Sequence, residues 1–113
     1  MVNRAAVLLK CKEPFIRWVN ESDPYDNNPG LTLKNVNEDR TVYLIRDDDA
    51  ENLDKWISLN FKVLFESELE GWYTDESLWP SKITKKVFNE WFEVECHTVL
   101  VDTVGDIITD DEI

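Results

Sequence analysis

Three short apolar runs, at residues 5–9, 41–45 and 98–101, limit what this chain can fold into more than any other feature. They are rich in β-branched or aliphatic residues and nearly continuous rather than alternating. That is the pattern of strands covered on both faces or central to a sheet. Segments with helical spacing lie between them. The expected architecture is a mixed α+β domain in the order β-α-β-α-α-β, a small three-stranded sheet packed by three helices.

The first helix should open near Pro14, whose fixed φ and missing N–H suit an opening turn, and place Phe15, Trp18 and Val19 on one face. It should stop by Asn20, because residues 23–30 are dense in turn formers and breakers. Residues 31–36 suit a helical turn capped by Thr32 better than a strand. The second helix is the clearest element. Asp47, Asp48 and Asp49 can cap it and complement its positive end. Leu53, Trp56, Ile57, Phe61, Leu64 and Phe65 then recur at three- and four-residue steps, with Gly71 as the stop. Leu59 and Val63 fall off that stripe, so they meet a second surface or form an exposed patch. The third helix takes Ser81 or Thr84 as its cap and aligns Ile83, Val87, Phe88, Trp91 and Phe92. Residues 1–102 form one globular domain, and residues 103–113 form an acidic tail, frayed or an edge strand.

A chain of 113 residues can bury roughly two-thirds of its unfolded surface, enough for a single core. Five Trp, five Phe and three Tyr supply that core without disulfides or metals. The N-terminal apolar run is too short for a signal-peptide core, and no run approaches the ~18 apolar residues of a membrane span. The expected setting is cytoplasmic, with Cys11 and Cys96 as free thiols.

Charge is strongly lopsided. Residues 1–46 hold seven basic and six acidic side chains, net +1, whereas residues 47–113 hold five basic and eighteen acidic, net −13. A field of that sign disfavours direct nucleic-acid or anionic-membrane binding and favours basic partners, divalent cations or plain solubility. Lys82, Lys85 and Lys86, the basic cluster of the acidic half, should pair with neighbouring acids.

No catalytic signature emerges. Cys96 and His97 are adjacent, so in a strand they point to opposite faces, whereas a nucleophile and its base must come within about 3 Å. Cys11 follows the first strand and Cys96 opens the third, which in a parallel arrangement puts them at opposite ends of the sheet. Two Cys and one His fall short of a zinc set, and no calcium loop or phosphate-binding glycine loop is present. No cofactor is expected. In an open parallel sheet, Asp47, Asp48 and Asp49 would share a rim with Asp102 at the strand ends, where ligands commonly bind. Such an acidic rim could hold Mg²⁺ for phosphoryl chemistry, but helix capping for the triplet and a solvated strand end for Asp102 account for it better. Glu93 and Glu95 show no spacing that opposes them across a cleft. Trp72, Tyr73 and Trp79 surround a loop, where they either pin the fold or anchor a partner.

Four segments carry a family resemblance: Lys12-Glu13-Pro14-Phe15-Ile16-Arg17-Trp18-Val19-Asn20, Thr41-Val42-Tyr43-Leu44-Ile45, Trp72-Tyr73-Thr74-Asp75 with Trp79-Pro80, and Glu90-Trp91-Phe92-Glu93-Val94-Glu95-Cys96-His97. Together they resemble a family of small, uncharacterised bacterial cytosolic proteins. The resemblance implies a bacterial cytosolic setting and transfers no activity, cofactor or site residue. The functional expectation is a non-enzymatic domain that binds a protein partner through its acidic face, its loop aromatics or both. Rival expectations are an acidic mimic or inhibitor of a nucleic-acid-binding protein, and a Mg²⁺-dependent enzyme using the aspartate rim.

Overall fold

The computed structural model describes residues 2–22, 32–38 and 40–107. Its centre is strand β1 (Arg4–Cys11), flanked on both sides by antiparallel neighbours, β2 (Val42–Arg46) and β3 (Phe92–His97). Val7 faces Tyr43 on one side and Cys96 on the other, and Cys11 faces Phe92. The α+β class and the order of its main elements are as expected.

Among the described residues, helices pack against one face of the sheet. On that inner face lie Ala5, Val7, Leu9 and Cys11 of β1, all buried, with Ile45 of β2 and Phe92 of β3. On the outer face Val42 and Leu44 are more than half exposed. The run at 41–45 is thus apolar on both faces, although among the described residues Val42 and Leu44 on the outer one stay largely uncovered. Continuity of apolar residues had suggested cover on both.

Helix α1 (Glu13–Glu21) begins with proline in its first turn and buries Phe15, Ile16, Trp18 and Val19. The turn expected at 31–36 is helix α2 (Leu33–Asn37), where the Val36 N–H donates to the Thr32 carbonyl at 3.1 Å. The single long helix expected after β2 is two. A short α3 (Asp47–Glu51) is separated from α4 (Leu53–Glu70) at Asn52, whose φ of −124° and ψ of 52° leave the helical region. The three aspartates lie inside the first turn of α3 rather than capping it. They still oppose the positive end of its dipole. Leu59 and Val63 of α4 are 74% and 67% exposed, so they form an exposed patch.

Helix α5 (Lys85–Trp91) is capped by Thr84, whose side chain accepts the Val87 N–H at 3.2 Å. Phe92 does not continue it. Phe92, Val94 and Cys96 instead alternate inward with Glu93, Glu95 and His97 outward, so β3 occupies 92–97 and not 98–101. The expected run keeps a backbone tie to the segment leading into β1, the Val2 N–H donating to the Leu100 carbonyl at 2.7 Å. Val99 and Val101 remain exposed. Residues 108–113, most of the expected tail, lie outside the described residues.

The core is aromatic. Phe65 sits against Trp91 and Phe92 with ring centroids 5.2 and 5.3 Å apart, and Phe92 touches both Phe15 and Phe88. Phe15, Phe65 and Phe88 are almost fully buried. At about 1.5–3 kcal/mol for each large side chain removed from water, three such rings outweigh any surface ion pair in the molecule.

Candidate functional site: a cavity at the C-terminal end of α4

Of the three loop aromatics, two are fastened to the fold. The Tyr73 hydroxyl donates to the Val19 carbonyl at 2.6 Å, and its ring meets Trp18 edge-on at 5.2 Å. The Trp79 indole N–H donates to the Tyr73 carbonyl at 2.8 Å, and the Trp18 indole N–H donates to the Leu78 carbonyl at 2.9 Å. These bonds latch the loop after α4 onto α1. Trp72 differs. It remains 40% exposed and forms part of a cavity of about 220 Å³. Trp79→Ala is therefore expected to cost on the order of 2 kcal/mol through lost packing and one lost hydrogen bond. Trp72→Ala should stay within about 1 kcal/mol, as exposed substitutions do. Denaturant midpoints at unchanged slope measure both; equal losses would make Trp72 a structural ring too.

The cavity lies where β1 ends. Cys11 supplies one wall and Val36 of α2 another, with Arg40 and Thr41 leading into β2, and Ser67, Glu68 and Gly71 closing it from α4. Asn37 fixes the first two together. Its side chain accepts the Cys11 N–H at 2.9 Å and donates to the Cys11 carbonyl at 3.2 Å, serving the end of β1 as a strand partner would.

A hydroxyl relay crosses the inner wall. The Tyr43 hydroxyl donates to Glu68 Oε2 at 2.7 Å, and its oxygen lies 3.0 Å from Ser67 Oγ, which has its own hydrogen to donate back. Burial pushes the Glu68 carboxyl above the usual carboxylate range, while the Tyr43 hydrogen bond pulls it back. Burial, and then the charge of Glu68, raise the Cys11 thiol to about 12, with Arg40 acting in the opposite sense. Burial likewise raises the Tyr43 phenol. Cys11 is thus a neutral thiol at neutral pH, and a thiol in that state is no nucleophile. Arg40, the positive group of the wall, is engaged elsewhere: its guanidinium donates to Glu95 Oε1 at 3.1 Å and holds that carboxyl below the usual range.

The thiols and the histidine stay apart. Cys11 pairs with Phe92 and His97 with Ala6, five residues along β1, so Cys11 and His97 are separated by roughly 16 Å at ~3.3 Å per residue. Cys11 and Cys96 are also apart, by roughly 13 Å along the sheet, although Cys96 pairs with Val7 in the middle of β1 and not at its opposite end. The neighbouring strands run antiparallel, and Cys96 lies near the end of β3 rather than at its start. His97 instead approaches Glu95 at 3.7 Å.

The aspartate rim is half assembled. Because β2 and β3 both run against β1, their C-terminal ends do lie at one end of the sheet, with Arg46 and His97 paired near the start of β1. A surface hollow there is lined by Asp47, Ala50, Glu51 and Thr98. Asp48 and Asp49 instead line a neighbouring hollow beside Trp56 and Leu59. Asp102 turns to its own loop and accepts the Val104 N–H at 2.9 Å. Among the described residues no three His, Cys, Asp or Glu side chains stand close enough to hold a metal ion together. Lys85 donates to Ser58 Oγ at 3.0 Å, not to an acid as expected.

Sequence reasoning passed over Tyr43, Glu68 and Arg40. One signal was available. Glu68 follows Leu64 by four residues and Phe65 by three, so it is a carboxylate set in the apolar stripe of α4.

Comparison with family models, curated proteins and solved structures finds no match to the chain, so no role is carried over from a relative. Among the described residues no helix is long and apolar enough to cross a membrane.

Proposed function

We propose that this chain is a non-enzymatic interaction domain that docks a basic protein partner at the mouth of the α4 cavity. The observation that carries this reading is Trp72. It is the loop aromatic left exposed while Tyr73 and Trp79 are tied inward, and Trp is among the residue types enriched at binding hot spots. The net charge of −12 supplies the sign of the partner, since a field of that size draws basic surfaces and repels phosphate backbones. The neutral thiol of Cys11 and its distance from His97 favour binding over chemistry.

A partner screen with the immobilised chain tests this. The partner should be basic and should elute as salt is raised toward 1 M, where the screening length falls to about 3 Å. Trp72→Ala should abolish capture while lowering Tm by no more than a few degrees. An acidic partner, or one held equally by Trp72→Ala, would refute the proposal. If the partner binds DNA and DNA competes it away, the chain acts as an acidic mimic of nucleic acid.

A further inference from the structure

We propose that the α4 cavity seats a lysine side chain of the basic partner, with the ammonium group between Glu68 and Ser67 and the methylene stem along Val36 and Trp72. This rests on the interaction reading above and names the group recognised. Separate features of the cavity favour a cation. Glu68 is a half-buried carboxylate whose hydrogen-bond partner is a neutral phenol, Tyr43, and among the described residues no positive group is ion-paired with it. The cavity also abuts the C-terminal turn of an 18-residue helix, which carries the negative end of the helix dipole and has no basic residue in its last turn. Trp72 adds an exposed indole, the strongest of the aromatic faces for a cation.

The walls fit the rest of the side chain. Val36 and the indole are apolar, as an alkyl stem requires, and Cys11 brings no charge. Arg40 lines the cavity as well, but its guanidinium is already bonded to Glu95 at 3.1 Å. At about 220 Å³ the space falls below the ~300–1,000 Å³ typical of sites for drug-sized molecules, so it suits a single side chain rather than a whole metabolite.

Nuclear magnetic resonance titration of the intact chain tests the assignment, with n-butylammonium chloride and a lysine tripeptide as probes. Their neutral counterparts, n-butanol and the norleucine tripeptide, serve as controls. Both cationic probes should saturably shift the amides of Glu68 and Gly71 and the indole N–H of Trp72, and the neutral ones should not. Glu68→Gln keeps the side-chain volume and an acceptor for Tyr43. It should weaken cation binding by roughly tenfold or more, as loss of a charge-assisted hydrogen bond does. Trp72→Ala, which spares the Glu68–Tyr43 bond, should weaken it as well.

Equal shifts with n-butanol, undiminished binding in Glu68→Gln, or shifts spread evenly over the acidic helices would overturn the assignment. So would binding of butylammonium without the lysine peptide, which would make this a site for a free amine. A basic partner retained in full by Glu68→Gln refutes the lysine seat and leaves the interaction domain standing. A chain that takes the lysine peptide at Glu68 yet docks no basic protein has the opposite meaning.

Discussion

Phe65→Ala is expected to cost about 3–5 kcal/mol, the largest loss from any single side chain of the core. Phe65 is fully buried and meets Phe88, Trp91 and Phe92, so it joins α4 to both α5 and β3. Truncation removes the transfer energy of the ring and opens a void that a close-packed core closes only in part. Small domains have only about 5–15 kcal/mol of stability, so this one ring accounts for a large share. Each kcal/mol lowers Tm by roughly 4–8 °C in a domain near this size, so calorimetry should show a drop of tens of degrees. Phe65→Leu should lose far less. A Phe65→Ala protein melting within a few degrees of the parent would mean that the aromatic cluster is not the stabilising core.

Trp18→Ala should be nearly as damaging, at about 3–5 kcal/mol, for a different reason. Trp18 is 8% exposed and contacts Phe15, Tyr73 and Trp91, and its indole N–H also holds the Leu78 carbonyl. Trp18→Phe separates the two roles. It retains most of the buried ring and removes the donor, so the loss should be about 1 kcal/mol. Hydrogen exchange should then quicken at residues 73–79 while β1 stays protected. If Trp18→Phe leaves the loop as protected as the parent, the indole bond is not what fastens it.

Much of the fold was legible before the structure. Pro14 with Phe15, Trp18 and Val19 marked α1 almost to the residue, because an opening proline and an apolar stripe are both local signals. Thr84 as the cap of α5 was legible for the same reason. What escaped notice was non-local or mixed in period. At Phe92 the helical repeat of α5 gives way directly to strand alternation, and Phe92 satisfies both, so the strand was sought at 98–101 instead. Strand direction is a property of pairing, which no run of residues declares by itself. The kink at Asn52 is a departure of one residue inside an otherwise helical pattern. The cavity was the least visible feature, since Tyr43, Glu68 and Arg40 belong to three separate segments. Only Glu68, a charge among Leu64, Phe65 and Leu69, disturbed its local pattern enough to mark the place.

The central position of β1 bears on how the chain is made. Its first neighbour follows after two helices, Leu8 pairing with Val42, but its second is far further off, Ala6 pairing with His97. During synthesis, the most apolar strand of the sheet emerges before both its neighbours and keeps one hydrogen-bonding edge open until β3 has followed. Such late, long-range closures are slow, and an open apolar edge is a template for pairing with other molecules. A ribosome stalled short of Phe92 would therefore carry a sticky nascent chain, one that calls for chaperone cover until the last strand arrives.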